Sequence, residues 1–168
     1  MVDYLAPSLD TTISAISSAL WLFAKNPEQW ELVREDPSRI PNAVNEVVRI
    51  ESPLRAFTRT IERDIDVDGN EMAAGSRVLM MYASANRDER KWNDPETFDV
   101  TREAGDHVGF GYGVHGCAGQ GLARMETKAV LEALAAKVHS IELVGEPTRG
   151  HNNIIRGFNT LPIVLHTA

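Results

Sequence analysis

The run from residue 108 to residue 119 restricts this chain more than any other segment. Glycine stands at 109, 111, 113, 116 and 119, and the protein's one cysteine stands at 117. Glycine at that density has too much backbone freedom to lose for a helix or strand interior, so the segment is predicted to be a sharply bent loop. Directly after it, Gln120 to His139 carry the strongest helical pattern of the chain. Leu122, Met125, Ala129 and Leu134 mark a predicted buried side, and Arg124 and Lys128 lie four apart on another. A cysteine just before a helix N-terminus sits where backbone amides favour the thiolate, the form that binds metal. A lone cysteine is more often a small buried hydrophobe, and the residues alone leave both readings open.

The chain before this loop divides in two. Ile13, Ile16, Leu20 and Phe23 recur at the spacing of one helix face. Asn26-Pro27 ends that helix and starts a second, about Glu28 to Arg34, which stops near Asp36-Pro37. A third helix is expected from Ser38 to Ile50, with Ala43, Val44, Val47 and Ile50 apolar, closed by Ser52-Pro53. Then short β-prone runs follow at Ala56 to Thr60, Ile65 to Val67 and Arg77 to Met81, with turns at Asp68-Gly69-Asn70 and Ala74-Gly75. Tyr82 to Arg87 suit a short helix, and Asp88 to His107 read as ordered coil. Ile141 to Val144 and Leu161 to Leu165 are candidate strands after the last helix. The expected fold class is α+β, mainly α: helices, a small antiparallel sheet, and a long C-terminal helix packed across them, in a single domain over residues 1–168.

Composition narrows the function. With 43% hydrophobic and 24% charged residues, the chain reads as an ordinary globular domain. A net charge of -7 argues against a nucleic-acid partner. The stretch Ile13 to Ala24 is interrupted by Ser14, Ser17 and Ser18 and is too short and polar to span a bilayer. No secretory leader pattern opens the sequence, and one cysteine fits a reducing compartment, so the cytoplasm is expected.

The string Phe110-Gly111-Tyr112-Gly113-Val114-His115-Gly116-Cys117-Ala118-Gly119, followed by Leu122-Ala123-Arg124, resembles the haem-binding signature of the cytochrome P450 family at every fixed position. The resemblance spans essentially all 168 residues but only the last portion of the family pattern, beginning in mid-helix, and is of bacterial type. It implies that Cys117 ligates the iron of haem b, where an axial thiolate favours O–O cleavage. It also implies that His115 and Arg59 meet the haem propionates, that Phe110 packs near the sulfur side of the ring, and that Gly111 belongs to the cofactor-binding loop. Gly113 and Gly119 would leave the loop room beside the porphyrin.

The same resemblance gives meaning to weaker signals. Glu46 and Arg49 are an ordinary helix-surface pair by spacing, but they match the family's Glu-x-x-Arg motif, which implies a buried structural ion pair. The family's third member is a charged residue where this chain has Thr97, and Arg102 is a possible substitute. Asp10-Thr11 matches the acid–alcohol motif over the distal haem face and implies a proton relay. Upstream, Pro7-Ser8 departs from the family pattern, and a proline there kinks or starts a helix.

Taken as a member of this family, the chain is expected to serve a monooxygenase. Such an enzyme inserts one oxygen atom of dioxygen into a small organic substrate, with two electrons from a ferredoxin-type or similar carrier. The alternative is a non-catalytic fragment that self-associates, with haem weakly held or absent. Either way, a homo-oligomer through the first helix is expected, because Ile13, Ile16, Leu20 and Phe23, with Leu9, Trp21 and Leu22 around them, form more apolar surface than the rest can bury.

Overall fold

A computed structural model describes the backbone of residues 2–167 and the side chains of residues 10–167. Helix α1 spans Val2–Lys25, α2 Pro27–Glu35 and α3 Ile40–Glu51, with a 3-10 turn over Pro37–Arg39 between the last two. Strands β1 (Phe57–Thr60), β2 (Ile65–Val67), β3 (Asn70–Met72) and β4 (Arg77–Met80) follow, then the short α4 (Tyr82–Ala85). A coil of about the expected length leads to the glycine loop and to α5 (Gln120–Ala135). Strands β5 (Val138–Leu143), β6 (Thr148–Arg149), β7 (Phe158–Thr160) and β8 (Ile163–Thr167) end the chain.

The strands form four antiparallel pairs rather than one sheet: β1 with β4, β2 with β3, β5 with β8, and β6 with β7. Asp68 and Gly69, both at positive φ, turn β2 into β3, as a two-residue hairpin loop of the primed type requires. Pro7 neither starts nor ends α1, which runs on either side of it.

One core joins Phe23, Trp30, Val33, Ile40, Val47, Phe98, Leu131 and Ile141. Phe23 contacts both Trp30 and Phe98 edge-on, with ring centroids 5.0 and 5.3 Å apart. The face α1 turns to this core is rotated from the expected one. Ser14, Ala15, Ser18, Ala19, Leu22 and Phe23 are buried, whereas Ile13 is 63% exposed. Small side chains let neighbouring elements approach the helix closely, and Gly157 illustrates this: a Cβ there would stand 2.7 Å from Ser14 Oγ. Trp21 and Leu22 do not enlarge an open patch, since Leu22 is buried and Trp21 packs on Phe158. The side chain of Leu9 lies outside the described residues.

Two further expectations are corrected. Helix α5 stops at Ala135 instead of His139, because Val138 to Leu143 pair with β8, which gives β-branched Val138 and Ile141 buried places in a ladder. Its buried residues are Thr127 and Leu131, while Leu122 (53% exposed), Met125 (60% exposed) and Ala129 face outward. Helix α5 is thus apolar on two sides, and the described residues cover one of them.

Candidate functional site

The glycine loop is a closed, internally bonded turn. Phe110 C=O accepts the Cys117 N–H at 2.7 Å, so both ends of the loop meet. Inside it, Gly111 N–H donates to Val108 C=O, and Gly116 N–H to Gly113 C=O, each at 2.9 Å. Gly111 sits at φ +75°, and a Cβ there would stand 2.7 Å from His115 O, so no other residue fits without moving the backbone. A 3-10 turn over Gly113–His115 carries the chain round.

This geometry leaves Cys117 exposed, two residues before the Gly119 cap of α5. Gln120 N–H donates to Cys117 C=O, and Ala123 N–H to Gly119 C=O, so the first turn of the helix begins at the thiol. The positive end of the helix dipole favours negative charge there. Arg124, one turn into α5, adds a cation. Burial pushes its pKa down, and the charge of the nearby Cys117 pulls it back up. Its guanidinium lies 4.4 Å from the Phe110 ring centroid and donates to Asn45 Oδ1 and Gln120 Oε1. A cavity of about 520 Å3 opens beside the loop, bordered by His107, Phe110, Tyr112 and Arg124. A second, of about 570 Å3, lies at the end of α1 against the β5–β6 turn and touches none of the expected site residues.

Behind the loop stands the ion-pair cluster. Glu46 and Arg49, on one face of α3, are fully buried and joined twice: Nε to Oε2 at 2.7 Å and Nη2 to Oε1 at 2.8 Å. Arg49 also donates to the carbonyls of Asn86, Pro95 and Thr97. Arg102 takes the third place, its Nε 3.1 Å from Glu46 Oε1. Thr97 contributes its carbonyl, not its side chain.

Asn86, buried and unremarked in the sequence, connects the two units. Its carbonyl receives Arg49, its Oδ1 receives the Val108 N–H at 2.8 Å, and its Nδ2 donates to Ser52 Oγ. Gly109 adds a steric joint, since a Cβ on it would stand 2.7 Å from Val48 Cγ1. The entry to the cysteine loop is therefore fixed to α3 one residue away from Arg49.

A second buried carboxylate also escaped the sequence reading. Glu51 is met by Arg149 at 2.7 Å, Arg156 at 3.1 Å and Arg87 at 3.8 Å. With the Leu54–Ile155 bridge, it holds the C-terminal strap against the segment after α3. The signal available was Glu51 beside the closing Ser52-Pro53, but its arginines lie 36 to 105 residues further on.

The remaining expected residues are more loosely held. Arg59, on β1 opposite Val78, is half-buried. It donates to Thr58 C=O at 2.9 Å and lies 3.4 Å from the Tyr82 hydroxyl, with no ion pair to any described carboxylate. His115 is exposed. Asp10 is exposed and Thr11 half-buried, both on α1. Among the described residues no cluster of three or more His, Cys, Asp and Glu side chains is arranged to hold a metal, and no helix is long and apolar enough to cross a membrane.

Known proteins resemble this chain in sequence and in fold. The model of the family described as Cytochrome P450 matches residues 1–138. The chain is 47% identical over 164 residues to Cytochrome p450 CYP199A2 of Rhodopseudomonas palustris, covering 98% of this chain and 40% of that protein. It is 38% identical over 156 residues to Linalool 8-monooxygenase of Pseudomonas putida, covering 93% and 38%. Among solved structures, CYP108D1 from Novosphingobium aromaticivorans superposes with a TM-score of 0.90 at 36% identity over 95% of this chain and 39% of that one. The CYP109E1–corticosterone complex from Bacillus megaterium gives 0.92 at 28% identity, over 96% and 44%. The chain thus spans about two fifths of the length of the curated relatives it matches.

Proposed function

Because the chain belongs to the cytochrome P450 family, we propose that it is the haem-ligating part of a monooxygenase, with Cys117 as the thiolate ligand of haem b. The carrying observation is the lone thiol of the described chain, presented on a loop closed by its own backbone at the positive end of a sixteen-residue helix. Exposed residues of α1, the loop and α5 suit a flat apolar ring with two carboxylates. Ile13, Val114, Leu122 and Met125 offer uncovered apolar surface. Arg59 is a cation without a carboxylate partner among the described residues, and His115 a second donor. A Cβ on Gly119 would stand 3.9 Å from Cys117 Sγ, so glycine keeps the space beside the sulfur clear.

When bound, haem would supply the redox chemistry: with two electrons and two protons, one atom of dioxygen would pass to an organic substrate and the other would leave as water. The chain's own residues do the rest. Cys117 would donate its thiolate, favoured by its place at the N-terminal end of α5 and by the nearby Arg124 cation. Arg59 and His115 hold the propionates, and a guanidinium suits a carboxylate because it can donate two parallel hydrogen bonds. Phe110 would pack near the sulfur, Gly111 would belong to the cofactor-binding loop, and Gly113 and Gly119 would leave the loop room for the porphyrin. Asp10 and Thr11 organise water and pass protons at the distal face. The electrons come from a ferredoxin-type or similar carrier in the cytoplasm.

Titration of the purified chain with haemin tests this. A saturable one-to-one complex is expected, weakened about tenfold by Arg59→Ala, the equivalent of one charge-assisted hydrogen bond. Unsaturable binding indifferent to Arg59 would count against the site. The outward-facing Leu122 and Met125 support a second reading, a non-catalytic chain that self-associates through its uncovered apolar side chains. In that case the chain would leave the absorption spectrum of added haemin unchanged, and haemin would leave the association state unchanged.

A further inference from the structure

His107 is 7% exposed, and no part of the chemistry proposed above uses it. Its Nδ1 accepts the N–H of Gly109 at 3.0 Å, and its ring centroid lies 5.4 Å from that of Phe110. An accepting Nδ1 needs its lone pair, so a neutral ring carries its proton on Nε2. That nitrogen is buried and has no hydrogen-bond partner among the described residues. A buried donor left unpaired is costly, so the imidazole is in place for its other nitrogen and its face. The surroundings keep it neutral: burial first, then the charges of Arg124 and Arg49, push its pKa down to about 4.

What it holds is the root of the cysteine loop. Gly109 is caught between Val48 and the imidazole, a Cβ there standing 2.7 Å from Val48 Cγ1 and 3.2 Å from His107 Nδ1. Asn86 fixes the preceding amide, and the next residue, Phe110, receives the Cys117 N–H on its carbonyl. Only the Gly109–Phe110 peptide separates the imidazole from the carbonyl that sets the position of Cys117.

We propose that His107 is a positioning residue for the thiolate, its Nδ1 lone pair fixing the Gly109 amide and thereby the Phe110 carbonyl on which Cys117 hangs. The proposal rests on Cys117 being the iron ligand. The alternative is a histidine that merely fills core volume. Two substitutions separate these. His107→Asn places an acceptor oxygen the same number of bonds from the backbone as Nδ1, whereas His107→Phe keeps a ring and removes the acceptor.

The first readout needs no haem: hydrogen exchange at the Gly109 amide, with the alkylation rate of the Cys117 thiol beside it. His107→Asn should match the parent chain on both, and His107→Phe should exchange about tenfold faster at Gly109. The second readout is the haem-loaded chain, where the reduced, carbon-monoxide-bound band and the midpoint potential should move in His107→Phe and be restored in His107→Asn. Equal protection at Gly109 in all three proteins overturns the proposal. So does an equal loss in both variants, which assigns the residue to packing. A parent chain that shows the Gly109 protection pattern but no thiolate-type band would instead refute Cys117 as ligand, and the two failures are distinguishable.

Discussion

Glu46→Ala is the most informative single perturbation of the scaffold. The carboxylate is fully buried and accepts two bonds from Arg49, one from Arg102 and one from the Asp99 amide. Its loss strands two guanidinium groups. Arg49 keeps three carbonyl partners but no counter-charge, and Arg102 keeps carbonyls of the coil over residues 93–97. Breaking a buried pair by removing one partner costs about 3–5 kcal/mol. An exposed pair at the same spacing contributes about 0.2–0.5 kcal/mol, so the two cases differ by roughly an order of magnitude. With a urea slope of about 2 kcal/mol per molar, the unfolding midpoint should fall by roughly 2 M. Arg102→Ala leaves the Glu46–Arg49 pair standing and should cost less, about 1–3 kcal/mol. Urea denaturation followed by tryptophan fluorescence reads both, since Trp30 and Trp92 are buried. A Glu46→Ala midpoint equal to that of the parent would refute the claim that this cluster holds the fold.

Gly109→Ala should destabilise the chain by about 1–3 kcal/mol through overpacking against Val48, and calorimetry that finds an unchanged melting temperature would contradict this. His107 makes stability depend on pH. Its folded pKa of about 4 lies below the ordinary 6.5, so the unfolded state takes up its proton first, and stability that is whole above pH 6.5 is lost as the pH falls towards 4. The loss is on the order of 3 kcal/mol, and urea midpoints between pH 7 and 4 should fall more steeply for the parent than for His107→Asn. Sedimentation at low micromolar concentration should show self-association through the uncovered Ile13, Leu122 and Met125, whereas a single species at 18.6 kDa would sink that expectation.

The bend of the ten-residue loop was legible from its glycine density, whereas the burial of the Glu46–Arg49 pair was legible only through the family resemblance, since its spacing alone reads as a surface pair. The hairpin at Asp68-Gly69 was legible because local turn chemistry decides it. The faces of α1 and α5 were not. A hydrophobic pattern marks large apolar side chains, and α1 buries Ala15, Ser18 and Ala19 because they are small. On α5 the pattern marked Leu122 and Met125, while the core took Thr127 and Leu131. The last helical turn expected through His139 yielded to pairing with β8, a partner some 25 residues on. Asn86 and Glu51 stayed hidden because their roles exist only in tertiary hydrogen bonds, and His107 because its role depends on a burial that no sequence pattern marks. Asn86 joins the Arg49 guanidinium and the Ser52 hydroxyl at the end of α3 to the Val108 amide at the root of the cysteine loop, and no spacing rule announces that. Arg102 shows the reverse case: the charge missing at Thr97 is supplied five residues later, through a coil that bends back to Glu46.

The central claim is that Cys117 presents a thiolate to haem iron. It is tested most directly by the carbon-monoxide difference spectrum of the reduced, haemin-loaded chain beside its Cys117→Ala counterpart. The account predicts a Soret band at the position diagnostic of thiolate ligation in the parent chain and its disappearance in Cys117→Ala, and the same band in both proteins would contradict it.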